Sequence, residues 1–251
     1  VEFSIFESAP GSSRSGCVIV GVYESRKLSI PAAALDSASR GFLTTVLKSG
    51  DMDGRKGTTL TLHGVPHIAS ERVLLVGLGA QKSFDEKAYR EAVATAMRAL
   101  KATCAAKAEC YLSVLDAGKS SITWRVAQAA ALATESAYRF ETMKSKREDA
   151  PPALKQLALV YANSGEREGA QRGLTQGVAL GRGMNLAKDL GNLPGNVCTP
   201  SYLAREARAL AAKHRMKATV LDRPQMQKLG MGTLLSVARG SAEPPKFIVL
   251  E

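Results

Sequence analysis

Aromatic side chains are scarce in this 251-residue chain, 5% with a single Trp, and only three histidines are present. Three histidines leave few candidates for the base of a Ser-His-Asp triad, and no G-x-S-x-G elbow, H-E-x-x-H helix or P-loop occurs. The four cysteines, at 17, 104, 110 and 198, lie far apart, and none forms the C-x-x-C pair of a structural zinc site. They read as free, mostly buried thiols of a reducing compartment. No run approaches the roughly 20 apolar residues of a membrane span. Glu2 and Glu7 flank the first apolar run, where a signal peptide needs a basic start. These absences predict a cytoplasmic protein with no membrane partner. With 22 Gly and 10 Pro, collagen-like and low-complexity classes are excluded as well.

What is present is an apolar fraction of 45%, in a chain long enough to bury one large core or two small ones. The formal charge of +11 invites a nucleic-acid reading, since phosphate neutralisation needs surplus Lys and Arg. Its distribution speaks against polarisation: residues 166–251 carry 13 basic and 7 acidic side chains, and residues 1–165 carry 21 and 16. The densest basic stretch, Lys144, Lys146 and Arg147, is followed at once by Glu148 and Asp149, as on a solvated face.

Short β-type runs alternate with helical periodicity through the first 165 residues, the pattern of an α/β layered domain. Strands are expected at 2–7, 17–23, 58–63, 72–78, 109–115 and 157–162. The continuous apolar run from Val73 to Val76 suits a central strand covered on both faces. Helices are expected at about 33–48 and 122–138. Another should open on a capping box of Ser83 and Glu86, with Ala88, Ala92, Val93, Ala96, Met97 and Leu100 as its apolar stripe. The charged, then Pro-rich stretch 144–152 reads as an exposed excursion. A long helix at about 166–190 follows, whose glycines imply close packing on a neighbour. Thr199-Pro200 then caps a helix, and strands near 218–221 and 247–251, with a short helix closed by Gly230 between them, begin a second unit whose sheet is half built.

Three motifs are weighed against bland alternatives. Gly77-Leu78-Gly79 follows a strand as a dinucleotide-binding turn would, but Lys82 stands where the third glycine belongs, so a tight structural turn is preferred. His63, His67 and Glu71 have metal-ligand spacing only on a helix, which Gly64 and Pro66 forbid. His214 suits the C-terminal end of its helix. Residues alone mark no convincing active site.

The end of the chain carries more. Asn185-Leu186-Ala187-Lys188-Asp189-Leu190, Asn192-Leu193-Pro194-Gly195-Asn196 and Cys198-Thr199-Pro200 resemble the entry to the catalytic domain of the leucyl aminopeptidase (cytosol aminopeptidase) family. Leu229-Gly230-Met231-Gly232, Leu234-Leu235, Val237, Gly240-Ser241, Pro244-Pro245 and Phe247-Ile248-Val249-Leu250-Glu251 continue the resemblance. Upstream, the run from Arg72 to Gly79, then Tyr138-Arg139-Phe140 and Lys144-Ser145, agree with it.

This resemblance implies an α/β protein: a macro-domain-like N-terminal α/β sandwich at 1–165, a linking helix at 166–192, and at 193–251 the truncated beginning of a second α/β domain, the metallopeptidase catalytic domain. It implies a hydrolase, an aminopeptidase that removes N-terminal residues from peptides with two divalent metal ions, Mn or Zn, as a cytoplasmic homo-hexamer. The family's metal ligands and catalytic residues lie beyond the matched segments. No catalytic or metal residue is therefore assigned in this chain, no substrate-binding residue is known, and the 251 residues alone are expected to bind no metal and to be inactive. The alternatives are a non-catalytic DNA-binding accessory and a nucleotide-binding macro-like module.

Overall fold

The computed structural model describes residues 1–12, 14–145 and 154–251. The expected excursion at 144–152 therefore falls largely outside the described residues; only Lys144 and Ser145 are within them. The chain divides into two compact units, residues 1–186 and 187–251.

The first unit is built on a seven-stranded sheet. Its strands are β1 (Glu2–Glu7), β2 (Cys17–Tyr23), β3 (Lys27–Leu28), β4 (Thr59–His63), β5 (Arg72–Gly79), β6 (Lys107–Cys110) and β7 (Gln156–Tyr161). They run in the order β1-β7-β6-β2-β5-β4, with β3 pairing β2. The pairs from β1 through β5 are parallel, and β4 and β3 are antiparallel additions. All seven residues of β2 are buried, as are Val73 to Val76, so the strand read as central is central.

Both faces of the sheet have their own core. On one, α3 (Glu86–Lys101) and α4 (Ile122–Ser136) cover Ile19, Leu74, Val76, Leu157 and Leu159. On the other, α1 (Ile30–Ala38) and α2 (Phe42–Ser49) cover Val18, Val20, Val73 and Leu75. The single helix expected at 33–48 is thus two. The Ser29 hydroxyl caps α1, accepting from Ala32 N, with Pro31 in its first turn. The break falls at Arg40 and Gly41, both with positive φ, and the Asp36 carboxylate accepts from Thr44 N (2.8 Å) and Thr44 Oγ1 (2.5 Å) at the start of α2.

Two further local readings are corrected. The cap of α3 is Asp85, which accepts from Ala88 N at 2.8 Å, and not Ser83. That bond holds the Asp85 carboxyl below its ordinary range. The strand expected to run to 115 ends at Cys110. Beyond it the Ser113 hydroxyl donates to Val160 O (2.6 Å) and Arg125 Nε to Ser113 O (2.9 Å), side-chain bonds that take the place of a ladder and leave a 3-10 turn over Leu112–Val114.

Helix α5 (Arg167–Asn192) has 26 residues. Its glycines 169, 173, 177 and 181 repeat every four residues along one face. A Cβ at Gly173 would stand 2.3 Å from Thr123 O, and one at Gly177 2.2 Å from Ala127 O, so α5 and α4 touch backbone to backbone.

In residues 187–251, α6 (Pro200–His214) opens on Thr199, whose side chain accepts from Tyr202 N at 3.2 Å. Strands β8 (Ala218–Leu221) and β9 (Phe247–Leu250) pair antiparallel as a sheet of their own, extended by mutual backbone bonds between Lys217 and Glu251. Between them lie α7 (Arg223–Lys228) and α8 (Gly232–Val237), the latter without a counterpart in the sequence reading. The buried residues of this unit are Ala204, Ala211, Met226 and Pro245.

Candidate functional site

Open α/β sheets bind ligands at the carboxyl ends of strands where successive connections leave toward opposite faces. Here that point lies between β2, which leads to α1, and β6, which leads to α4. The neighbouring glycine turn is occupied by the chain itself. Gly79 N donates to Gly54 O (2.9 Å) and Gly77 N to Thr58 O (2.9 Å). A Cβ at Gly77 would lie 1.9 Å from Arg55 O, and one at Gly54 2.0 Å from Tyr23 O. Gly77 and Gly79 therefore admit the backbone of residues 54–58, the structural role preferred for them.

Beside this turn, Arg125 of α4 is buried with its guanidinium fully engaged. It donates from Nε to Ser113 O (2.9 Å) and from Nη1 to Ser120 O (2.9 Å), and it faces Asp116 (3.3 Å) and Glu166 (3.6 Å). Glu166 in turn accepts from Ala162 N at 3.0 Å. The Arg125 carbonyl accepts from the hydroxyl of Tyr89, whose phenol burial pushes well above its ordinary value. This cation ties together the segments leaving β6 and β7, and every bond it makes is to its own chain. Tyr23, Phe84, Tyr89 and Trp124 pack beside it with ring centroids 5.6 to 6.4 Å apart. The arrangement offers no nucleophile with an adjacent base.

A hollow of about 270 Å³ lies at the opposite, amino end of the sheet. Helices α1 and α2 cover only the β2, β5 and β4 side of their face. Glu2 and Ser4 of β1, Gln156 and Ala158 of β7, and Lys107 and Glu109 of β6 line the hollow, with Arg14 and Ser15. Ala9 and Ser15, from the connection between β1 and β2, border this face: Ser15 Oγ meets Ser70 Oγ at 3.0 Å, and the Tyr111 hydroxyl lies 3.2 Å from Ala9 O. That hydroxyl is also 3.3 Å from Glu109 Oε2, and Glu109 is only 6% exposed. Residue spacing did not single out these residues, although the alternating polar positions of Glu2-x-Ser4 and Lys107-x-Glu109 were a legible signal.

The residues weighed in the sequence are scattered. His63 ends β4, His67 sits in a turn at φ 60°, and Glu71 pairs with Arg72 at 2.7 Å. His214 lies in the last turn of α6. Cys17 and Cys110 are buried, and burial pushes their thiols up to about 12 and about 11; Cys104 is exposed and Cys198 half-buried. Among the described residues, no three His, Cys, Asp or Glu side chains converge as a metal site, and no helix is long and apolar enough to cross a membrane.

Known proteins resemble the chain along its whole length. A probable cytosol aminopeptidase of Dechloromonas aromatica (strain RCB) is 47% identical over all of this chain and 50% of its own length. One of Chromobacterium violaceum is 46% identical over all of this chain and 48% of its own. The chain thus spans about half the length of the curated relatives it matches. Among solved structures, a tomato leucine aminopeptidase mutant matches all of this chain and 50% of its own, with a TM-score of 0.82 at 22% identity. The bottromycin maturation enzyme BotP, also solved in complex with Mn, matches 94% of this chain and 46% of its own, with a TM-score of 0.71 at 24% identity. These two likenesses bear out the α/β fold. The model of the cytosol aminopeptidase family's N-terminal domain matches residues 19–147, and that of its catalytic domain matches 185–251. On this ordered pair of matches, the chain belongs to the cytosol aminopeptidase family.

Proposed function

We propose that this chain is the N-terminal domain, the linking helix and the opening of the catalytic domain of a metal-dependent aminopeptidase that releases N-terminal residues, Leu among them, from peptides. The boundaries proposed are 1–165, 166–192 and 193–251. The observation that carries the reading is the catalytic-domain match at 185–251, which follows the N-terminal-domain match in the family's order.

Two divalent ions, Mn or Zn, would supply Lewis acidity and a water of low pKa. The described residues of this chain do not fit such a centre, since no donor set converges. The ligands and catalytic groups are accordingly proposed to lie outside the 251 residues, and no catalytic step is derived from these. The whole protein is proposed to be a cytoplasmic homo-hexamer.

The test compares the 251-residue chain with the same chain extended to the length of its relatives, using Leu-p-nitroanilide with Mn²⁺. The extended protein should release p-nitroaniline, lose activity on chelation and regain it with Mn²⁺ or Zn²⁺; the shorter chain should be inactive. Full activity after exhaustive metal removal would defeat the reading. The charge of +11 is the ground for a parallel DNA-binding assay, in which a genuine DNA partner would show affinity that falls steeply with salt.

A further inference from the structure

We propose that a second hollow, between β1, the end of α4 and α5, receives the C-terminal residue of a peptide. Arg182 holds its carboxylate, Asn185 accepts from its backbone N–H, and its apolar side chain meets Phe3 and Val178.

The hollow exists because a packing pattern stops. Glycines 169, 173, 177 and 181 let α5 lie against α4, and the next position of that four-residue repeat is Asn185. Helix α4 ends nearby at Ser136, and Tyr138 N donates to Glu135 O at 3.0 Å instead of continuing the helical pattern. Thr134 O is thereby left over, and Asn185 Nδ2 donates to it at 3.2 Å. Beside this contact a volume of about 210 Å³ opens, lined by Phe3, Thr134, Ala137, Val178, Arg182 and Asn185.

Two polar groups of the lining lack partners. Asn185 Oδ1 is buried and accepts no hydrogen bond from the described residues, although the other end of the same carboxamide is engaged. A buried acceptor without a donor has lost its water uncompensated. Arg182, one turn earlier on α5, is exposed and makes no ion pair or hydrogen bond with the described residues. Phe3 and Val178 complete the lining with apolar surface that continues into the core.

These groups set the ligand class. The cation calls for an anion, the unpaired oxygen for a donor, and the apolar wall for a hydrocarbon side chain. Positions 182 and 185 are three apart and neighbours on one helix face. The last residue of a peptide carries its carboxylate, N–H and side chain on a single carbon, so it meets all three together. A free amino acid would bring an ammonium group toward the Arg182 guanidinium, whereas an acylated nitrogen is a neutral donor. The Nδ2 bond to Thr134, at the long end of the usual range, lets the carboxamide turn Oδ1 toward that donor. A volume of about 210 Å³ falls below the roughly 300–1,000 Å³ of larger ligand sites, which suits one residue and not a longer segment.

Calorimetric titration of the 251-residue chain with N-acetylglycyl-L-leucine should show saturable binding. The same peptide amidated at its C-terminus, and 4-methylpentanoate, which lacks the N–H, should each bind at least tenfold more weakly. Arg182→Ala, at an exposed position, should remove the preference for the free carboxylate over the amide, and Asn185→Leu the preference over 4-methylpentanoate. Ala137→Phe, also at an exposed position, should fill the hollow and abolish binding. Should Asn185→Leu fail to fold, the two surface variants decide. Absence of saturable binding, or binding that both surface variants leave unchanged, overturns the proposal. The probe has no free amino end for an aminopeptidase to act on, so this result and the peptidase reading fail separately.

Discussion

Strands β2 and β8 look alike as sequence, a short apolar run before a turn, yet they occupy different environments. Cys17 to Tyr23 are all buried, whereas Ala218 to Leu221 are all partly exposed. β2 has hydrogen-bonded neighbours on both edges and helices over both faces, while β8 pairs with β9 alone. The contrast extends to the two units. Residues 1–186 bury two cores on either side of one sheet. Residues 187–251 bury Ala204, Ala211, Met226 and Pro245, and leave Leu229 at 62% and Val237 at 82% exposure. Caps and propensities shape helices in both units, but apolar burial, at about 25 cal/mol per Å², is concentrated in the first.

Truncation in the first core should have the largest effect. Leu74→Ala, at a fully buried site on β5, is expected to cost about 2–5 kcal/mol in a urea melt. A cost close to that of a surface change would break the contrast at its centre. Gly177→Ala should follow at about 1–3 kcal/mol, because the added carbon meets Ala127 O at 2.2 Å and must push α5 off α4. Unchanged stability would mean that the two helices separate freely.

Alkaline pH sharpens the comparison further. The Cys17 and Cys110 thiols are raised by burial from 9.0 to about 12 and about 11. Below about pH 9 both folded and unfolded chains keep these protons, so the stabilisation is complete. Above it the unfolded chain ionises first, and stability should fall by about 1.4 kcal/mol per pH unit for each thiol until the folded value is passed. Cys17→Ala should flatten that slope between pH 9 and 11. An unaltered slope would assign it to other groups.

The smallest effect is expected in the second unit. Leu229→Ser and Val237→Ser, both at exposed positions, should change stability by no more than about 0.5 kcal/mol. Hydrogen exchange should find the amides of β8 less protected than those of β2. A loss well above that figure would show these side chains acting as core.

Strands β1, β2, β4, β5 and β7 of the first unit, the cap at Thr199-Pro200, the close-packed glycines of α5 and the family's ordered segments were legible in the chain, because each depends on local chemistry or spacing of a few residues. Residue spacing did not locate the break at Arg40 and Gly41, since the Asp36 cap that rewards it binds Thr44 eight residues on. Nor did it distinguish a glycine turn for phosphate from one for backbone. Gly77 shows the same pattern either way, and only the arrival of residues 54–58 decides. The hollow at Glu109 belongs to the same class. Its polar residues come from three strands distant in sequence, and their union rests on β1, β7 and β6 lying side by side in parallel register. Local interactions fix an element wherever it is placed, whereas burial and charge pairing depend on which element becomes its neighbour, and that is settled only when the whole sheet assembles.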